Sequence, residues 1–191
     1  MTRLSQSATA AAGSLPKVIR NTHQSYREKG LVFEKLTLEK LENFGFKLTC
    51  SSSLKMVGDR GIDLSGTWRL LPDNNIVLVQ CKNLSESVPV SDLREFESSI
   101  RKVEDSRQVK TFGIFATSSG FSNQAKTWFF QSNCNLSAVI INQGPFQFFM
   151  NASAQRQFPH IRVIRQYNPI FDSYSDVIVS TKSMEEILPS E

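Results

Sequence analysis

The sequence NIVLVQCK, residues 75–82, is an almost unbroken apolar run that ends in polar side chains. A short apolar run of this kind, bounded by turn residues, predicts a strand that is buried on both faces of a sheet. Side chains alternate along a strand, so Gln80 and Lys82 point to one face and Cys81 to the other. Since burying Lys82 is costly without a negative partner, the strand predicts a polar site at its end.

The segments on either side of this strand predict a sheet with helices on both faces. The apolar spacing is typical of amphipathic helices in residues 30–44 and 92–106. Asp92, followed three residues later by Glu95, predicts a variant capping box at the second helix. Further strands are predicted at 46–53, 61–70, 111–117 and 136–142, and a third helix at 122–132. The order α-β-β-β-α-β-α-β favours an α/β fold with a mixed β-sheet flanked by helices.

The hairpin that leads into residues 75–82 is expected to bring Asp63 to the polar end of the strand. If its turn is centred near Pro72 and Asp73, Asp63 lies opposite Lys82 and diagonal to Gln80. This arrangement suits metal-assisted phosphodiester hydrolysis, because a carboxylate and an amide oxygen can hold Mg²⁺. Lys82 would then orient the attacking water or stabilise charge on the phosphate.

The interpretation of this polar site includes one further residue and leaves one alternative open. Glu34, on the first predicted helix, is the candidate for a second carboxylate at the metal. The alternative is a plain cross-strand ion pair between Asp63 and Lys82, with no chemistry attached to it.

Four motifs in this order resemble the restriction-endonuclease-like fold, which carries the PD-(D/E)xK signature. They are GLVFE at 30–34, GDRGIDL at 58–64, VQCK at 79–82 and TSSGFSNQA at 117–125. The closest branch is the Mrr type, in which Gln-x-Lys stands in place of Glu-x-Lys. The resemblance extends over about residues 30–142 and implies a nuclease architecture.

The resemblance also implies a role for each site residue. Asp63 matches the metal-binding aspartate, Gln80 occupies the second metal position, Glu34 matches the first-helix glutamate and Lys82 matches the catalytic lysine. The implied cofactor is Mg²⁺, with Mn²⁺ possible, and the implied partner is DNA, double- or single-stranded. A homodimer is possible. A neutral Gln80 gives the site less negative charge than two carboxylates would, which leaves the affinity and number of metals open.

Residues 1–27 differ in composition from the rest of the chain. They are rich in Ser, Thr and Ala and contain four basic residues and no acidic residue, which is typical of a mitochondrial presequence. The alternative is a disordered polar tail. The other 18 basic residues balance the 18 acidic ones, so the net charge of +4 does not by itself indicate a DNA-binding surface. The remaining chain is divided into a nuclease-like domain at 28–145 and a C-terminal extension at 146–191 that packs on it or trails from it.

The N-terminal composition and the four motifs together are similar to a fungal mitochondrial family called "required for respiratory growth protein 7". That similarity implies a Mg²⁺-dependent nuclease-like protein of the mitochondrial matrix, which hydrolyses DNA in genome maintenance and respiratory growth. The alternative is a catalytically inactive nuclease-fold protein that binds nucleic acid or acts as an assembly factor. No apolar run is long enough to predict a membrane span.

Overall fold

The computed structural model describes residues 25–50, 61–169 and 172–182, which form four helices and eight strands. Most of the predicted presequence and three residues of the second motif, Gly58, Asp59 and Arg60, lie outside the described residues. The elements are α1 (Tyr26–Glu42), β1 (Phe46–Cys50), β2 (Leu64–Trp68), β3 (Asn75–Lys82), α2 (Val90–Arg107), β4 (Lys110–Thr117), α3 (Asn123–Gln131), β5 (Leu136–Ile140), β6 (Gln147–Met150), α4 (Ala152–Gln157), β7 (Ile161–Asn168) and β8 (Ser173–Ser180).

The main sheet has six strands in the order β1-β2-β3-β4-β5-β6. The strands β1, β2 and β3 pair antiparallel, β3, β4 and β5 pair parallel, and β6 pairs antiparallel with β5. The predicted mixed sheet flanked by helices is therefore confirmed. Because β3 and β4 are parallel neighbours, their carboxyl ends meet at one edge, with Lys82 level with Thr117.

The strand β3 is buried on both faces, as predicted. Val77 and Val79 belong to a core that includes Phe33 and Leu41 of α1. Leu78 belongs to a second core with apolar residues of α2 and α3. The alternation of these side chains places α1 on one face of the sheet and α2 with α3 on the other.

Both long helices begin at other residues than expected. Ser25 and Glu28 form a capping box that starts α1 at Tyr26, four residues before the predicted start. The predicted Asp92–Glu95 capping box is wrong, because α2 begins at Val90 after Pro89 and has no side-chain cap. Pro at this position already supplies an extended backbone before the helix, and Asp92 lies inside the first turn.

The chain beyond residue 145 adds to the sheet and to its core. The strand β6 is the sixth strand, so the predicted boundary at 145 lies before a strand of the main sheet. Phe158 and Ile161 are buried in the core on the α1 face. The two-stranded sheet of β7 and β8 is joined to β6 because Asp176 Oδ2 accepts a hydrogen bond from the Phe148 N–H at 3.0 Å. No helix in the described part of the chain combines the length and apolarity that a membrane span requires.

Candidate functional site

Asp63 lies immediately before β2 and is fixed against the end of β3. Its N–H donates to the Val79 carbonyl at 2.8 Å. Its Oδ2 atom accepts a hydrogen bond from the Cys81 N–H at 2.6 Å. These two hydrogen bonds attach the backbone of Asp63 to Val79 and its side chain to Cys81, two residues further along β3. The carboxylate is therefore oriented by main-chain groups, which cannot rotate away as a side-chain donor would.

The register of the hairpin differs from the expected one. Leu64 pairs with Val79, which places Asp63 level with Gln80 and not opposite Lys82 as predicted. The connection closes through two successive turns, with the Leu71 N–H bonded to Trp68 and the Asn75 N–H bonded to Pro72. The centre of the hairpin consequently lies one residue earlier than Pro72–Asp73.

Gln80 is buried, with 2% of its surface exposed, and its carbonyl oxygen Oε1 has no hydrogen-bond donor among the described residues. A buried polar atom without a partner costs about 1–3 kcal/mol. Gly61 packs against this amide, since a Cβ atom at Gly61 would lie 2.5 Å from Gln80 Nε2. Gly61 also has a φ of +92°, so both space and backbone conformation favour glycine there.

Glu34 projects from α1 toward the same region. Burial raises the pKa of the Glu34 carboxyl, and the nearby charge of Asp63 raises it further. Burial likewise raises the pKa of Asp63, although the Cys81 N–H and the Lys82 ammonium act in the opposite direction. In both carboxyl groups burial is therefore the main factor that disfavours the ionised form.

Lys82 is one-third exposed, and its ammonium nitrogen lies 3.7 Å from Asp92 Oδ2. The alternative interpretation, a plain ion pair between Asp63 and Lys82, is therefore not what the structure shows, although the Lys82 charge still lowers the pKa of Asp63. Sequence reasoning missed Asp92 because it assigned that side chain to a helix cap. A signal was present: an acidic residue in the first turn of the helix that follows the lysine strand lies close to the strand end.

The connection between β3 and α2 is tied to the turn between β4 and α3. Ser118 Oγ donates to Asn83 Oδ1 at 2.9 Å, and Asn83 in turn donates to the Lys29 carbonyl of α1. The Val88 N–H donates to the Gly120 carbonyl at 2.9 Å. Ser122 caps α3 through the Ala125 N–H. These bonds fix the start of α2 relative to the site.

The Asp63 carboxylate thus interacts electrostatically with Glu34 of α1 and with Lys82, while Gln80 lies level with Asp63 at the same end of β3 as Lys82. No three His, Cys, Asp or Glu side chains within the described ranges form a group able to hold a metal ion. A cation at this site would therefore take two ligands from Asp63 and Glu34 and depend on the Gln80 amide oxygen for a third. Amide and carboxylate oxygens are ligands that Mg²⁺ accepts.

The raised pKa of Asp63 generates a prediction about stability. The folded protein binds a proton at Asp63 more readily than the unfolded chain does, so stability falls as the pH rises above the ordinary value of 3.8. The variant Asp63→Asn removes this loss and keeps an oxygen for the Cys81 N–H. We expect its free energy of unfolding to exceed that of the wild type at pH 7 and to match it at pH 3, as measured by urea denaturation.

The exposed Asp73, in the turn of the same hairpin, supplies the matched control Asp73→Asn for the change in net charge. An Asp63→Asn variant that is less stable than the wild type at pH 7, or whose advantage does not grow with pH, would contradict this account of the site.

Comparisons with known proteins found a matching family model and similar solved structures. The Mrr_cat family model, described as restriction endonuclease, matches residues 26–142. A repair endonuclease from Pyrococcus abyssi is similar in structure with a TM-score of 0.44 and 16% identity, over 62% of this chain and 48% of that one. The EndoMS-dsDNA2 complex is similar with a TM-score of 0.44 and 19% identity, over 59% of this chain and 44% of that one.

The chain thus spans less than half of the length of each of these two structures. No curated protein matches the chain. The predicted restriction-endonuclease-like fold of the Mrr type is confirmed by the family match, which covers more than half of the sequence. The chain belongs to the Mrr_cat restriction endonuclease family.

Proposed function

We propose that this protein is a metal-dependent nuclease that hydrolyses DNA phosphodiester bonds at the end of β3. The observation that carries the proposal is the buried, unpartnered oxygen of Gln80 at the end of β3, level with Asp63, whose carboxyl interacts with that of Glu34 and, like it, has a raised pKa. Each of these features costs free energy in the protein alone. A divalent cation removes all three costs at once, which supports a cation as the missing component.

The donor set fits a hard divalent cation. Nucleases of this fold generally use divalent metal ions. Asp63, Gln80 and Glu34 offer only oxygen atoms, the ligand type of Mg²⁺ and Mn²⁺. A cation held by these residues would polarise the phosphate and lower the pKa of a bound water, which is the nucleophile. We propose Mg²⁺ as the resident ion, with Mn²⁺ as a substitute.

The residues of the chain have separate tasks in this proposal. Asp63 binds in a fixed orientation because the Cys81 N–H holds one of its oxygens. Glu34 supplies a second negative charge from another element, α1. Lys82 remains partly exposed at the strand end, where its ammonium group can orient the attacking water or stabilise charge on the phosphate.

The setting of this activity is also a proposal. The composition of residues 1–27 supports import into the mitochondrial matrix and kinship with the "required for respiratory growth protein 7" family. The role would then be mitochondrial genome maintenance. The strandedness of the DNA is left to the assay below, and a homodimer would supply a second site for the opposite strand.

A cleavage assay tests the proposed activity. The purified full chain is incubated with supercoiled plasmid and with single-stranded DNA, in Mg²⁺, in Mn²⁺ and in EDTA. We expect metal-dependent cleavage that falls by roughly 100-fold or more in Asp63→Asn and in Lys82→Met, because each removes a group that acts on the reacting phosphate. The control Asp73→Asn should cleave as the wild type does.

Cleavage that is unchanged in both site variants would place the activity elsewhere. DNA binding without cleavage in either metal would instead favour the alternative, an inactive nuclease-fold protein that binds nucleic acid. The neutral Gln80 favours this alternative, since the site has less negative charge to hold a metal than a site with a third carboxylate would have.

Gln80 itself gives a second prediction. The variant Gln80→Glu adds a negative charge at a cation ligand, which strengthens the binding of a divalent ion. We expect isothermal titration calorimetry to show about tenfold tighter Mn²⁺ binding, which corresponds to about 1.4 kcal/mol. The exposed Gln124 of α3 supplies the control Gln124→Glu, with the same change in charge. Equal Mn²⁺ affinity in Gln80→Glu and in the control would exclude Gln80 as a ligand.

A further inference from the structure

The ion pair between Lys82 and Asp92 lies at the edge of the proposed metal site and is not explained by cation binding. The two charged groups are 3.7 Å apart, and both side chains are largely shielded, with 33% and 21% of their surfaces exposed. Asp92 is in the first turn of α2, where the positive end of the helix dipole stabilises a carboxylate. The Asp92 carboxylate is therefore held on a helix, while the Lys82 ammonium lies at the end of a long, flexible side chain.

The backbone that carries Asp92 is held in place independently of the ion pair. Val88, just before α2, donates to the Gly120 carbonyl and accepts from the Ser122 N–H. Asn83, just after Lys82, donates a hydrogen bond to the Lys29 carbonyl of α1 and accepts one from Ser118 in the turn that precedes α3. The distance between the end of β3 and the start of α2 is thus fixed by hydrogen bonds on both sides.

Lys82 also interacts electrostatically with the proposed metal site. The charge of Lys82 acts on Asp63, and the charge of Asp63 acts on Glu34. An ammonium group that settled between these two carboxylates would occupy the place of the cation and neutralise the charge that attracts it. The observed partner of Lys82 is instead Asp92, on the helix that follows the strand.

We propose that Asp92 is a positioning residue, whose carboxylate holds the Lys82 ammonium beside the Asp63–Glu34 pair but away from it. This arrangement keeps the two carboxylates available to the cation and keeps the ammonium group at the reacting phosphate. The inference rests on the proposed function, because it assigns Asp92 a task at the same site. It makes Asp92 act only through Lys82, without contact with metal or substrate.

Mn²⁺ affinity, measured by calorimetry on the full chain, tests this inference without any need for cleavage. The set comprises the wild type, Asp92→Asn, Lys82→Met and the double variant. In the wild-type background, Asp92→Asn should weaken Mn²⁺ binding about tenfold, because the released ammonium moves to Asp63 and Glu34. In the Lys82→Met background the same change should weaken binding by about twofold or less.

The matched control is Glu95→Gln, an exposed carboxylate one turn further along α2. It removes the same charge from the same helix and should also change the affinity by about twofold or less. Thermal unfolding of each variant verifies that it folds. As a second readout, Asp92→Asn should lower kcat by roughly tenfold with little change in KM for DNA, and Asp92→Glu should restore most of the loss.

The outcomes separate the two proposals. A tenfold loss in the presence of Lys82 that disappears in its absence supports the positioning role. Equal losses with and without Lys82 overturn that role and leave the metal site standing. A wild-type protein that binds no Mn²⁺ overturns the proposed function, and the positioning role falls with it.

Discussion

The hydrogen bond from the Cys81 N–H to Asp63 Oδ2, 2.6 Å long, is the interaction on which the site depends. It joins the residue that precedes β2 to the C-terminal end of β3, beyond the last antiparallel pair of these two strands. The donor belongs to a strand that is buried on both faces, so its position is set by two apolar cores. The orientation of one carboxylate is thereby determined by the packing of the whole sheet.

The groups around the Asp63 carboxylate lower the stability of the protein alone and would favour the binding of the proposed cation. Burial of Asp63 and of Glu34 opposes their ionisation, and the Gln80 oxygen lies buried without a donor in the part of the chain that the structure describes. A fold under selection for stability alone would replace such groups with apolar side chains. The interaction of Asp63 with Glu34, and the polar side chains of Gln80 and Lys82 at the end of the central strand, make this region a candidate functional site.

The sequence contained enough to predict the sheet and to single out the polar residues at the end of its central strand. The run at 75–82 predicts the central strand, and strict alternation then places Gln80 and Lys82 together. Glu34 was different: on its own it is an ordinary helix residue, and only its place in the family motif brought it into the site. Its electrostatic interaction with Asp63 links α1 to the hairpin, which no local pattern encodes.

The features that sequence reasoning missed are those that depend on long-range geometry. The hairpin register follows from two successive turns and the bond to Cys81, neither of which the residue types in 69–74 specify. Asp92 was assigned to a cap because its spacing to Glu95 fits that motif, whereas the helix begins two residues earlier. The partner of Lys82 became visible only when the strand end and the helix start were placed together.

Anomalous diffraction from crystals of the full chain soaked in Mn²⁺ would show whether a divalent cation binds at the end of β3. The account predicts a manganese peak about 2–2.5 Å from a carboxylate oxygen of Asp63 and from Gln80 Oε1, with Glu34 adjacent and Lys82 still paired with Asp92. A peak elsewhere in the molecule, with Gln80 Oε1 more than about 4 Å from any metal, would contradict it.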